Sequence, residues 1–130
     1  MANDSGTLTS SGSSLNIPTG SGSERLRRAS IEGLNDGTQE ILSGTAGHIY
    51  TILSVIFRNG TATATYGIGM TVNVGSQNIQ LISDNAQKVE AYGTFVFNDK
   101  FVMEEDDDLE VYNQVSNGDW YISYIDQDWT

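Results

Sequence analysis

GTFVFNDKFVMEEDDDLEVYNQVSNGDWYISYIDQDWT, residues 93–130, is the stretch that decides the fold class. It is the densest apolar and aromatic block in the chain, and it reads as three or four short strands. Turn signals separate them: Asn98-Asp99, the acidic run Glu104 to Asp108, and Asn117-Gly118. In the last segment Trp120, Ile122 and Tyr124 fall on one side, and Tyr121, Ser123 and Ile125 on the other. Leu109 and Val111 alternate with Asp108, Glu110 and Tyr112 in the same way. A period of two is what a half-buried antiparallel strand requires. Asn117-Gly118 predicts a two-residue type I′ hairpin, whose central positions both need positive φ.

Working back from this block, His48 to Arg58 (HIYTILSVIFR) is rich in β-branched and aromatic residues and reads as a long central strand. Asn59-Gly60 predicts a second hairpin turn, leading into a strand over Thr61 to Val74. Gly67 and Gly69 within that strand suggest a bulge or a close backbone approach. Gly75-Ser76 turns the chain into a strand over Gln77 to Ser83. Asp84 to Ala91 is the one place where a helical turn fits, with Asp84 as its N-cap. Asn35-Asp36-Gly37 separates two short apolar pieces as a strand connection. The expected fold is all-β: an antiparallel sandwich or jelly roll of about eight strands.

The length of 130 residues suits one domain, and the shortfall in apolar residues (38% of the chain) lies mainly in the first two dozen. Residues 1–23 are built from Ser, Gly, Thr and Asn, which cannot bury enough surface to offset their ordering entropy. They form either a flexible tail or an arm that orders against a neighbouring subunit, with Leu15, Ile17 and Pro18 as anchors. Residues 24–130 form the sandwich. The net charge of −11 disfavours binding to nucleic acid and to an anionic membrane. With no cysteine there is no disulfide framework and no thiolate metal site. A polar N-terminus without a signal-peptide core, and no apolar run of membrane-spanning length, predict synthesis in a cytoplasm.

The sequence carries few groups that point to chemistry. His48 is the single histidine, no nucleophile elbow accompanies it, and its place at the start of a strand makes it structural. The run Glu104 to Asp108 reads as a solvated acidic turn, with a cation site or an inter-subunit salt contact as the alternatives; its spacing does not match an EF-hand loop. Arg25, Arg27 and Arg28 hold half of the six basic residues, and they suit docking onto the acidic C-terminal half of the same or an adjacent subunit. Trp129, second from the end, either folds back onto its own domain or inserts into a neighbour. Nothing in the sequence calls for a cofactor, a metal or a catalytic residue.

Two blocks carry a resemblance. FVFNDKFVMEEDDDLEVYNQ ahead of WYISYID, and the earlier IYTILSVIFRNGT, are similar to small β-sandwich virion proteins of tailed bacteriophages. The likeness spans roughly Ser30 to Asp126, and it departs at Asp106-Asp107-Asp108, where that group usually has Gly-Asp. The polar arm resembles that of phage head decoration (cement) proteins, which lay such an arm on the capsid lattice. The resemblance implies a non-enzymatic virion protein made in the host cytoplasm and bound to the major capsid protein or other virion proteins. It also implies a homo-oligomer, with a trimer as one form. Partner contacts then fall to Leu15, Ile17, Pro18, Arg25, Arg27, Arg28 and Trp129. A neck, collar or tail adaptor is the alternative within that class, and a carbohydrate-binding host-recognition module is the alternative outside it.

Overall fold

Alternation along two long strands builds the core. In a computed structural model, which describes residues 23–114 and 116–130, the strands are β1 (Ser23–Leu34), β2 (Gly37–Ser43), β3 (His48–Asn59), β4 (Tyr66–Val74), β5 (Gln77–Val89), β6 (Thr94–Phe97), β7 (Phe101–Met103), β8 (Asp107–Asn113) and β9 (Gly118–Asp128). On β3 the buried side chains are Tyr50, Ile52, Val55, Phe57 and Asn59, and on β9 they are Trp120, Ile122, Tyr124 and Asp126. The step from Ile52 to Val55 breaks the period of two because a bulge at Leu53 inserts one residue opposite β9. Side by side on these two paired strands, Phe57 and Trp120 pack with ring centroids 4.7 Å apart, and Tyr50 and Tyr124 at 5.0 Å. Both spacings lie in the favourable range for tilted aromatic pairs.

The strands form two antiparallel sheets. One has the order β1-β9-β3, with β6 and β7 end to end along the far side of β3; the other has the order β2-β8-β4-β5. Nine strands therefore fill eight positions in a jelly roll, and the described residues contain no helix. The expected fold class is the observed one. Most connections cross from one sheet to the other, as the two Greek keys of this fold require. Val74 pairs with Gln77 across the single tight hairpin, and there Gly75 (φ 61°) supplies the positive φ that a type II′ turn needs at its first central position.

Those crossings overturn two readings of the sequence. Asn59-Gly60 and Asn117-Gly118 are not hairpin turns, because each lies between strands of different sheets. They are corners that touch one another, with the Gly60 N–H donating to the Asn117 carbonyl at 2.8 Å. Asn117 has positive φ (65°), whereas Gly118 is required for space: a Cβ there would lie 2.6 Å from Asn113 Nδ2. Residues 84–91 are not helical either. β5 runs on to Val89, and between the pairs Met70–Ile82 and Ile68–Gln87 it carries an excursion opposite Gly69. The Cα atoms of Asn85 and Asp84 would each lie 2.8 Å from a Cβ on Gly67 and Gly69, which is the close approach those glycines foretell. Pairing with β4 outweighs the weak helical preference of DNAQKVEA.

Two buried asparagines close the end of the sandwich where the corners meet. Asn59 Nδ2 donates to the carbonyls of Ala64 (2.8 Å) and Val89 (3.0 Å), and its Oδ1 accepts the Thr61 N–H (2.9 Å). Asn113 Nδ2 donates to the Leu34 carbonyl (3.0 Å), and its Oδ1 accepts the Trp120 indole N–H (2.9 Å). Asn59→Leu, close in volume, strips these groups of their partner and is expected to lower stability by at least about 2 kcal/mol in urea unfolding. Replacing the exposed Asn35 with serine should change it by less than about 0.5 kcal/mol.

Candidate functional site

The largest grouping of charged side chains around a buried one sits at the opposite end, where β1, β9 and β3 lie side by side. Asp126 is 5% exposed and projects inward from β9. His48, the first residue of β3, places Nδ1 2.7 Å from Asp126 Oδ1 and Nε2 3.5 Å from Asp128 Oδ1. Arg27 on β1 brings Nε to 3.5 Å from the other Asp126 oxygen. Register produces this meeting, since Tyr50 and Arg25 are the cross-strand partners of Asp126, and His48 is that of Asp128. Thr45 Oγ1 and the Tyr50 hydroxyl lie 2.7 Å apart beside the cluster. Burial, and next the neighbouring Tyr50, push the Tyr124 phenol above its ordinary value. The Asp128 carboxyl lies below the usual carboxylate range, chiefly through hydrogen bonds from the Thr130 hydroxyl and N–H, with a smaller contribution from His48.

This arrangement is suited to holding strands together. Both ring nitrogens of His48 face carboxylates of its own chain. A buried carboxylate between an imidazole and a guanidinium ties the edge strand β1 to the centre of its sheet. Of the three basic residues expected to contact a partner, Arg27 pairs within the chain, Arg25 lies near Asp128, and Arg28 points to the other face of the sheet. Trp129 folds back: its backbone N–H donates to the Gly47 carbonyl at 2.8 Å, and its half-buried indole has a buried Nε1 with no partner among the described residues. Leu15, Ile17 and Pro18 lie outside the described residues.

The acidic run is more ordered than a solvated turn. Glu104 to Asp106 are exposed, whereas Asp107 turns inward. Its carboxylate accepts the Glu104 N–H at 2.9 Å, and its carbonyl accepts the Gly44 N–H at 2.7 Å. No group of three His, Cys, Asp or Glu side chains is arranged to hold a metal ion among the described residues.

A second feature escaped sequence reading. The outward face of the sheet β2-β8-β4-β5 forms an open groove of about 540 Å³, lined by polar side chains that include Tyr112, Asn73, Gln80, Asp84 and Glu110. Glu40 stands opposite Glu110 in the β2–β8 ladder. Desolvation, the charges of Asp108 and Glu110, and a hydrogen bond with Asp108 all raise its pKa. The alternation on β8 was a usable signal, since it puts Asp108, Glu110 and Tyr112 on one side. The contributions of β4 and β5 depend on which strands become neighbours.

No protein-family model matches the chain, and no curated protein sequence matches it. Among solved structures, the chain is similar to part of a structure of infectious bursal disease virus Gx strain, with 8% identity and a TM-score of 0.45. That match covers 89% of this chain and 42% of the other. It is also similar to part of a structure of infectious bursal disease virus Gt strain, with 10% identity and a TM-score of 0.33, covering 81% of this chain and 36% of that one. The chain thus spans less than half the length of either.

Two outcomes test the site. In a double-mutant cycle, His48→Gln and Asp126→Asn should couple by about 1–2 kcal/mol, against at most about 1 kcal/mol for the exposed Arg58–Asp119 pair. For Glu40, a folded pKa above the unfolded one gives stability that is present at low pH and lost as pH rises through the folded value. Glu40→Gln should therefore raise stability at pH 7, by no more than about 0.5 kcal/mol given solvent screening. In pH-dependent urea melts that gain should fade below pH 4.5, the ordinary value of this carboxyl.

Proposed function

We propose that this chain is a non-enzymatic structural protein of a tailed-phage particle, and within it a capsid decoration protein that clamps neighbouring capsid subunits. The observation that carries the proposal is the position of β1. It is an edge strand of a complete jelly roll, and residues 1–22 lead directly into it. A segment that enters the domain at a sheet edge is suited to strand addition against a neighbour. The jelly roll is used by viral capsid proteins and by lectins, and a fold alone does not choose between them. The likeness of Ser30 to Asp126 to phage virion proteins favours the first. In this role the partners are the major capsid protein or other virion proteins. The contacts fall to Leu15, Ile17 and Pro18 in the arm, and to Arg25, Arg28 and Trp129 where the arm joins the domain; Arg27 holds that junction in place.

A carbohydrate-binding role is the second reading, and the groove with Tyr112, amides and carboxylates on its floor favours it. Quantitative mass spectrometry of purified particles separates the possibilities. A decoration protein should stand to the major capsid protein at about one to one or one to three, as a closed symmetric lattice dictates. A ratio many times lower would move it to the neck or tail, and absence from particles would overturn the virion role. Binding to host polysaccharide that is lost in Tyr112→Ala would establish the second reading instead.

A further inference from the structure

We propose that the outer face of the sheet β1-β9-β3-β6/β7 is a contact between two copies of this chain, packed face to face about a two-fold axis. The solvent face of an antiparallel sheet is ordinarily polar. Here, Leu26, Ile125 and Val102 lie in one row across the strands, and Tyr121, Ile56 and Val96 in another. Leu26 is 73% exposed, Val102 54%, Val96 50% and Tyr121 42%, which places on this one face four of the seven large apolar side chains that stand exposed among the described residues. Between the rows, Ser54 and Ser123 hydrogen-bond to each other at 3.0 Å, and the exposed Arg28 is the one charged side chain in their row.

Charge selects the occupant. A chain of net charge −11 repels its own copies, and the groove on the other sheet, with Asp84, Asp108 and Glu110 and no basic side chain in its lining, would repel them most. The apolar rows contain no carboxylate, and Glu24, beyond the Leu26 row on the same face, accepts a hydrogen bond from the Gln127 amide at 3.3 Å. Asp119, at one end of the face, is neutralised by Arg58 at 3.6 Å. Two copies therefore meet here with the least repulsion. Four strands about 4.8 Å apart and close to forty ångströms long present roughly 700 Å² per copy, near the ~800 Å² per partner of a standard stable interface. A face packed against its own duplicate is isologous, so the assembly closes as a pair.

The proposal concerns the free protein and does not rest on a virion role. Sedimentation velocity of the full chain, from micromolar to about 0.1 mM and at ~0.05 and ~0.5 M salt, tests it. A dimer is expected, with a larger dimer fraction at high salt, because salt screens the net repulsion and leaves apolar contact intact. The double variant V96K/V102K, and separately L26K, should weaken pairing at least about tenfold. Because these side chains are exposed, the melting temperature should stay close to that of the unmodified chain. E40K/E110K, on the opposite sheet, should leave pairing in place. A monomer under every condition, a trimer, or a dimer indifferent to V96K/V102K and L26K would overturn the proposal. The last of these would direct attention to residues 1–22 or to another surface.

Discussion

A jelly roll must carry its backbone repeatedly from one sheet to the other, and each crossing strips peptide groups of their ladder partners near the core. Buried peptide groups left unpaired cost more than most single contacts return. In this chain Asn59 and Asn113, both fully buried, meet that requirement at the end where the corners converge. Each side chain both donates and accepts. Between them they tie the ends of β1, β3, β5, β8 and β9. The aromatic core, the spacing of the sheets and the position of Trp120 all depend on this closure. An apolar residue of equal size at either position could fill the space but could not satisfy the groups around it.

The two ends of the sandwich solve related problems with different chemistry. At the asparagine end, neutral amides serve backbone groups at the corners and the Trp120 indole. At the other end, Asp126 joins His48 and Arg27, whose side chains retain contact with solvent. The ionic cluster holds the edge strand, and the amide knot holds the corners. The faces divide in the same manner. The sheet β2-β8-β4-β5 shows water a polar, acidic groove, while the other sheet shows it rows of aliphatic and aromatic side chains.

Much of this architecture was legible in the alternation of residues 93–130 and 48–58, because burial on one side of a strand imposes a period of two on the sequence itself. The close approach at Gly67 and Gly69 was legible for a similar reason: absent side chains mark where another backbone passes. The Asn-Gly pairs misled. Their local chemistry fits a hairpin, and only the assignment of strands to sheets turns them into corners. DNAQKVEA misled as well, since its local preference is weak and its partner strand is remote. The site at Asp126 was beyond local reading, because Arg27, His48 and Asp126 come from three strands whose register no short window contains. The groove with Tyr112 depends likewise on β4 and β5 lying beside β8.

One position in the jelly roll is filled by two short strands. β6 and β7 each hold their own ladder to β3, and Asn98, Asp99 and Lys100 between them are exposed opposite the Leu53 bulge. The margin of the sheet thus carries a seam. Because each half is anchored independently, extra residues could enter at the seam without shifting the register on either side. The fold thus contains a place where the chain can grow, and where a loop of new sequence could be presented outward while the domain beneath it stays the same.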